Sequence, residues 1–598
     1  MKALKNFFKS IKPAIIRFPA LFILLLACAV FSTLLSSAWE IFPTKDLKYE
    51  SPEWKAMSEA RKEFTTLITN LLKAGGISAI FSFFAGIAVP FFSKKFEQKK
   101  RTLFLYGGQL LGLFLFLPAY FIFKDSSFYK GMAYCGLIAA MIFCSIFILM
   151  FEQEEKMVVP NLIVAEVIAG ISAGCVCAGL FIIRYAVDLL LIKFNSLAES
   201  LVNSAIIAVT WMVVYAGIYV ASITKPKEEI TCPKAFKVIF MFILLPLYLA
   251  LLLVLYGYFA KCLFTLSMPS GKINWFVSFA TVFYLVFHFS VRQFEEKAAK
   301  LFCKWGAVIL IPLIIIQCLA FGIRINAYGF TPSRYGSLLY ILFSIIFVAL
   351  SFVKEGKWMS AAFPLFAGLC LFATITPMNL VDVPQRNQYA RIDSIYKKAG
   401  LLIDGKYDVQ NAAEKLEPEQ KAQIVESFDA IIGSESEIKR DGWPAKDYNK
   451  SFDGIKDEVK KESFEKIFGF AYSKKYGKEP ADEIFYKFKF DYDQKIPVNI
   501  KKYSELYRIN NFDDVDKKAV ITWADGRKTD ITQEIMDLLK EVGEEEYSNY
   551  KDKPGASIVL KQEGGYTFIL TSLSAKMKKN KEGEITYFDV YGSGFVCK

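Results

Sequence analysis

Glu166, Arg184 and Asp188 stand inside long apolar runs, where lipid hydrocarbon is the expected solvent. An unpaired charge at such depth costs about 2.5–3.5 kcal/mol on insertion scales, so these side chains must pair, reach an interface or serve a function. Arg184 and Asp188 are four residues apart on one helix face, and that spacing predicts a structural pair. Glu166 has no local partner, which leaves an interfacial position or a buried functional acid. Nearer the ends of apolar runs lie Tyr256, Tyr258 and Lys261, then Arg324, Tyr328 and Arg334, with Arg386 and Arg391 just beyond the last run. Aromatic and basic residues at a membrane boundary are ordinary belt residues. The functional alternative is a basic, aromatic-lined outer pocket for the head group of an anionic lipid or a polyprenyl phosphate. Arginine would grip a phosphate bidentately there, and lysine would act as a mobile point charge.

Other chemistries have little to stand on. The single histidine, His288, lies near the end of an apolar run, so neither a His-rich metal site nor a Ser-His-Asp triad is available without it. Cys175 and Cys177 share an apolar helix with no further ligand in sequence and read as packing residues. The stretch Gly400 to Tyr407 has the glycine and lysine spacing of a phosphate-binding loop. However, Tyr407 replaces the magnesium-binding Ser or Thr, and a helix precedes it where a strand is needed. A glycine helix stop followed by an Asp404-Gly405 turn accounts for it. No catalytic residue, cofactor or metal ligand is assigned.

The elements that must position these residues follow from composition. The chain has 598 residues, 54% hydrophobic and 16% aromatic, and a mean hydropathy of +0.32. With repeated runs of about 20 apolar residues, it belongs to the polytopic membrane class. Residues 1–379 carry 35 Lys+Arg against 19 Asp+Glu, and residues 380–598 carry 37 against 40. The basicity thus belongs to the membrane half. It fits loops facing an anionic leaflet better than nucleic-acid binding. Of the cysteines only Cys597 falls in the C-terminal part, which excludes a disulfide framework there.

Eleven spans are expected: Pro19 to Ala38, then near 74–92, 102–123, 131–151, 162–190, 203–222, 236–260, 274–291, 305–323, 335–353 and 359–378. The first follows Lys2, Lys5, Lys9, Lys12 and Arg17. Its apolar run continues past Cys28, so it reads as an uncleaved helix and not a removed signal. The distribution of Lys and Arg puts the N-terminus inside and the C-terminal part outside. Against this trend, the supposedly inner connection Glu152 to Lys156 is acidic. Met157 to Phe194 is too long for one straight span and must tilt, break or continue along the interface. Gly108 with Gly112, and Gly170 with Gly174, have the spacing of close helix approach.

After Pro377 a helix with Tyr389, Ile392, Ile395 and Tyr396 on one stripe is expected to end at Gly400, followed by a charged helical stretch to about residue 477. From Ile484 the period becomes two, with strands at 484–492, 519–523, 557–561, 566–570 and 584–591 and one helix at 531–542. The expected fold is an α-helical polytopic bundle (1–379), a membrane-exit helix with a helical soluble segment (380–483), and a small, mainly antiparallel, extracytoplasmic α+β domain (484–598).

Pro246, the Tyr256, Tyr258 and Lys261 cluster, Pro269 and Gly271, the Tyr328 to Tyr335 turn, Pro377, Arg386-Asn387-Gln388, Arg391 and Gly400-Leu401-Leu402 together resemble the bacterial DUF4153 family, most densely over 236–405. Pro332-Ser333 stands where that family usually carries an acid after the threonine of the turn. The resemblance implies a multi-pass bacterial membrane protein and supplies no catalytic residue. The expected function is a non-enzymatic inner-membrane component, envelope- or transport-associated, with membrane lipids as partners. The alternatives are a transporter, or a membrane glycosyltransferase-like enzyme using acids of the first outer loop, Glu40, Asp46, Glu50 and Glu53.

Overall fold

A computed structural model describes residues 12–44, 47, 51–124, 128–153, 155–224, 232–265, 272–353, 358–433, 440, 443 and 457–473, and beyond residue 474 mainly strand segments. The chain divides into two compact units, Met1–Lys474 and Lys475–Lys598.

Among the described residues of the first unit ten helices are long and apolar enough to cross a membrane: α1 Pro19–Ser36, α2 Pro52–Phe92, α3 Gln98–Phe123, α4 Phe128–Glu152, α5 Glu155–Leu190, α6 Ser196–Ile223, α7 Lys234–Cys262, α8 Ile273–Val291, α9 Lys297–Tyr328 and α10 Pro332–Phe352. The last expected span is a shorter apolar helix, α11 Met359–Ile375. Several helices outrun the apolar core. The 41-residue α2 begins far upstream of its apolar part, where Ser51 accepts from Trp54 N and Pro52 supplies the first helical residue. The stretch beginning at Met157 resolves into one unbroken α5 of 36 residues, about 54 Å long at 1.5 Å per residue.

Close approach recurs around the bundle, between α9 and α8 where a Cβ on Gly306 would meet the Tyr284 ring at 2.4 Å, and among the helices from α1 to α4 and α11. A Cβ on Gly75 would meet Cys28 Sγ at 2.4 Å, on Gly86 the Phe18 ring at 2.2 Å, on Gly112 Ser82 Oγ at 2.0 Å and on Gly136 Thr374 Oγ1 at 2.0 Å. Gly108 and Gly112 thus seat α3 on α2 as their spacing predicts. Gly170 and Gly174 have nothing within 4 Å and form no such face among the described residues. Around α8 to α10 the core is aromatic and aliphatic, with Tyr284, Leu310, Leu313 and Phe347 fully buried. A polar network pins the same helices: buried Gln317 Nε2 donates to Asn274 Oδ1 at 2.8 Å and Ser278 Oγ at 3.0 Å, and Asn274 Nδ2 donates to Ser337 Oγ at 2.9 Å. In α7 the turns Val238–Leu244 widen to a π-helix just ahead of Pro246, which has no N–H for the carbonyl four residues back.

The helix ends sort onto two faces. Arg17, ahead of α1, donates to Gly86 O of α2 at 3.0 Å and pairs with Glu152 of α4 at 3.5 Å. Arg292, after α8, pairs with Glu155 of α5 at 3.2 Å, and Lys237 of α7 pairs with Glu296 before α9. Gln153 Nε2 donates to Ile223 O, the last residue of α6, at 2.7 Å. The acidic connection between α4 and α5 is therefore neutralised by arginines arriving from other helices.

Beyond α11 come α12 Asp382–Lys398, a two-residue hairpin of β1 Leu402–Ile403 with β2 Lys406–Tyr407, α13 Pro418–Ile432 and α14 Asp457–Phe468. Asp404 (φ 48°) and Gly405 (φ 76°) both lie in the left-handed region, as a two-residue hairpin turn demands, and Gly400 (φ 69°) follows the end of α12. Tyr396, Phe428, Phe464 and Phe468 form the buried centre of this helical cap.

In the second unit the described strands include Glu483–Phe490, Lys518–Thr522, Ser557–Leu560, Tyr566–Lys579 and Ile585–Cys597. Tyr566–Lys579 and Ile585–Cys597 pair antiparallel in one long hairpin, with Leu573 opposite Gly592, and Glu483–Phe490 lies antiparallel along the other edge of Tyr566–Lys579. Most of the helix expected at 531–542 lies outside the described residues.

Candidate functional site: an arginine-rich clasp at the end of α9

The turn between α9 and α10 is held from outside the bundle by α12. Gly329 has φ 66° and ψ −173°, a conformation available essentially to glycine alone, and exposes the carbonyls on either side of it. Gln388 Nε2 donates to Tyr328 O at 3.1 Å and to Phe330 O at 2.6 Å, while Asn387 Oδ1 accepts from Phe330 N at 2.8 Å. A Cβ on Gly329 would meet Asn387 Oδ1 at 2.8 Å and Gln388 Nε2 at 2.9 Å. Arg391 Nη2 donates to Ala327 O, and Arg334 Nη1 donates to Gly329 O at 3.0 Å with its guanidinium 5.2 Å from the centre of the Tyr328 ring. The last carbonyls of α9 are thus capped by side chains from two other helices. Thr331 accepts from Arg334 N and Pro332 is the first residue of α10, so the Pro-Ser departure from the family pattern still starts a helix.

The start of α12 is tied in the same way. Asn379 Oδ1 accepts from Val381 N and Asp382 N at 2.9 and 2.8 Å, and Tyr129 of α4 donates to Asp382 Oδ1 at 2.7 Å. Arg386 donates to Pro377 O and to Asp382 O, and with Tyr389 and Arg440 it borders a cavity of about 410 Å³.

Electrostatically this end is unbalanced. Arg334 lies in the field of Arg324, and Arg391 in that of Arg334, with Glu426 of α13 as the acid felt by both. Burial, opposed by Glu426 and aided by the Arg334 charge, sets Arg391 below the ordinary guanidinium value. Its Nη1 is buried with no hydrogen-bond partner among the described residues, while Arg324 is exposed.

The structure divides the residues expected to share an outer pocket. Arg324, Tyr328, Arg334 and Arg391 converge on the clasp, and Arg386 lies one turn before Arg391 on α12. Tyr256 goes elsewhere: its hydroxyl donates to Ile309 O at 2.6 Å, fifteen residues before Arg324 on α9, or about 22 Å along the axis. Tyr258 and the exposed Lys261 follow Tyr256 within about a turn and a half. The expected Arg184–Asp188 pair does not form. Arg184 bonds Glu199 of α6 at 2.6 Å, and Asp188 accepts from Phe194 N at 2.8 Å, closing the turn after α5. A basic residue placed N-terminal to an acid is the weaker order for such a pair, so longer-range partners win. Of the first-loop acids, Asp46 and Glu50 lie outside the described residues.

Two further places bear on function. His288, 4% exposed, lies at a cavity of about 650 Å³ at the Arg17 end, bordered by Arg292, Lys300, Lys304 and Trp305. Glu166 lines a different cavity together with Tyr215 and Tyr219 of α6. Asn379, Tyr215 and Tyr219 are not among the residues expected at a site, and Asn387 and Gln388 are singled out only by the family resemblance. The Asn379-to-Asp382 spacing of a helix cap was the legible signal for the first; the others depend on contacts between distant segments.

Comparison with curated proteins and with solved structures gave no match. Residues 79–416, more than half of the chain and enclosing the bundle from α2 onward together with the whole clasp, match the family described as "Domain of unknown function (DUF4153)", and the chain belongs to that family.

Proposed function

We propose that this multi-pass membrane protein is a non-enzymatic component of the bacterial cytoplasmic membrane, envelope- or transport-associated, that binds the anionic head group of a lipid at its outer face. The carrying observation is the arginine cluster: Arg334 lies in the field of Arg324 and Arg391 in that of Arg334, Glu426 is the acid felt by Arg334 and Arg391, and Arg391 Nη1 has no hydrogen-bond partner among the described residues. A phosphate oxygen supplies the missing acceptor and charge, whether from a phospholipid or a polyprenyl phosphate. Orientation rests on two supports. Arg17, Arg292 and Lys237 gather at the opposite end, which the positive-inside rule makes cytoplasmic. The short α11 runs from Met359, which shares the His288 cavity, to Ile375 near the clasp, so it acts as an eleventh crossing. Residues 380–483 and a soluble α+β domain at 484–598 then lie outside the cytoplasm. An enzyme using a polyprenyl-phosphate-linked substrate, or a transporter, are the alternatives, and both draw on layout alone.

Native mass spectrometry of the full chain, extracted into nanodiscs containing phosphatidylglycerol or a polyprenyl phosphate, tests the proposal. Arg324→Ala changes an exposed residue and should lower retained anionic lipid without unfolding the protein, while Arg334→Lys should retain an intermediate amount. Equal retention by all three proteins would reduce these arginines to belt residues.

A further inference from the structure

Glu166 stands within the length of α5, its side chain exposed at a cavity. It follows Glu155 by eleven residues on α5, about 16 Å along the axis from the Glu155–Arg292 pair, roughly half of a ~30 Å hydrocarbon core. Among the described residues it forms no ion pair. The Tyr215 hydroxyl lies beside its carboxylate, and Tyr219 is in its field. Tyr215 immediately follows the π-helical turns Thr210–Val214 of α6, whose extra residue re-aims the side chains after it. The Tyr215 and Tyr219 rings stack nearly parallel, 6.1 Å apart and inclined by 6°. These three side chains border a cavity of about 460 Å³ whose other walls, Ser145 apart, are mainly apolar, among them Leu25, Phe83 and Leu149.

An acyl chain needs only the apolar walls. A carboxylate and two tyrosine rings, electron-rich at their faces, add nothing for a hydrocarbon, and the carboxylate repels an anion. The volume lies within the range of pockets that enclose small organic molecules. We propose that this cavity is a binding site for a lipophilic organic cation, with its charge against the Glu166 carboxylate and the tyrosine faces and its apolar body among the α1, α2 and α4 side chains. The site is separate from the arginine clasp and does not depend on it.

The test uses the purified full-length protein in detergent with two probes, tetraphenylphosphonium and the neutral triphenylphosphine oxide. Saturable binding of the cation is expected, weakened about tenfold or more by Glu166→Gln through loss of a charge-assisted contact in an apolar setting. Tyr215→Phe should have a smaller effect in the same direction, and Glu166→Asp should keep part of the affinity. Binding of the neutral probe should be the same in wild type and Glu166→Gln, which also shows that the cavity survives the substitution. Absence of saturable cation binding to the wild type, or equal cation affinity in Glu166→Gln, would overturn the proposal. So would parallel loss of both probes.

Discussion

Arg17 and Glu152 face each other at 3.5 Å across 135 residues of sequence, and the same guanidinium also holds Gly86 O. One side chain thereby fixes the start of α1 to the ends of α2 and α4. Removal of either partner should therefore be unequal in effect. Arg17→Ala loses the pair and strands a carbonyl, so it should lower stability by about 1–3 kcal/mol, whereas Glu152→Ala loses only a partly solvated pair and should cost about 1 kcal/mol or less. Thermal unfolding of both variants and the double mutant in one detergent measures this. Equal single effects would mean that the Gly86 contact contributes nothing.

The short α11 gives a second expectation. If it crosses, positions on either side of it lie in opposite compartments. A periplasm-dependent reporter fused after Thr376 should be active, and the same reporter fused after Val353 should be silent. A fusion after Cys597 should match the first. Identical behaviour at Val353 and Thr376 would make α11 a helix that enters and does not cross, which is incompatible with the bonds from α12 to the α9–α10 turn.

Much of this architecture was legible in sequence because a run of about 20 apolar residues can satisfy its backbone in lipid only as a helix. Ten of the eleven expected spans, the helix stop at Gly400 and the Asp404-Gly405 turn depend on local chemistry and are found as helices and turn where expected, while the eleventh, at 359–378, is the shorter α11. Charge partners were less legible. The acidic stretch from Glu152 runs against the Lys and Arg trend of the sequence because its counter-charges, Arg17 and Arg292, come from distant helices. Arg184 and Asp188 were paired by proximity, while Glu199 becomes available only once the α5–α6 turn is known. Gly170 and Gly174 have the spacing of a packing face but meet no close neighbour among the described residues, since spacing says nothing about which face a partner takes. The clasp is half legible: Arg324, Tyr328, Arg334, Arg386 and Arg391 stand in the expected set, but together with Tyr256, Tyr258 and Lys261, and the capping of α9 carbonyls by Gln388 and Arg391 requires the fold.

The clasp should be sensitive to its glycine. Gly329→Ala must adopt a backbone region that is nearly closed to other residues and must displace Asn387 and Gln388, at a cost of about 1–3 kcal/mol. The effect should be local, with faster amide exchange over 382–398 and little change in α8 to α10. Gln388→Ala should reproduce part of it by freeing the Tyr328 and Phe330 carbonyls. Uniformly faster exchange across the bundle would show that the clasp supports the membrane helices themselves.

The helical cap beyond the clasp carries a pH expectation. Arg440 Nη1 donates to the Tyr407 hydroxyl at 2.8 Å, and that hydroxyl donates to Asp393, which Arg440 Nη2 also meets at 2.9 and 3.1 Å. Burial, and then the hydrogen bond to Asp393, push the Tyr407 phenol above its ordinary value, against the pull of Arg440. A group raised in the folded state stabilises fully below its unfolded pKa, about 10 for tyrosine, and loses that contribution as pH rises through the folded value. The cap should therefore be insensitive to Tyr407 ionisation up to about pH 10 and loosen above it. Tyr407→Phe should cost about 1 kcal/mol at neutral pH and flatten the alkaline limb. Amide exchange in α12 and α13 followed from pH 8 to 11 separates the two proteins. An alkaline limb of equal steepness in Tyr407→Phe would assign the loosening to another group, with the fully buried Tyr396, stacked on Tyr407 at 4.2 Å, the next to substitute.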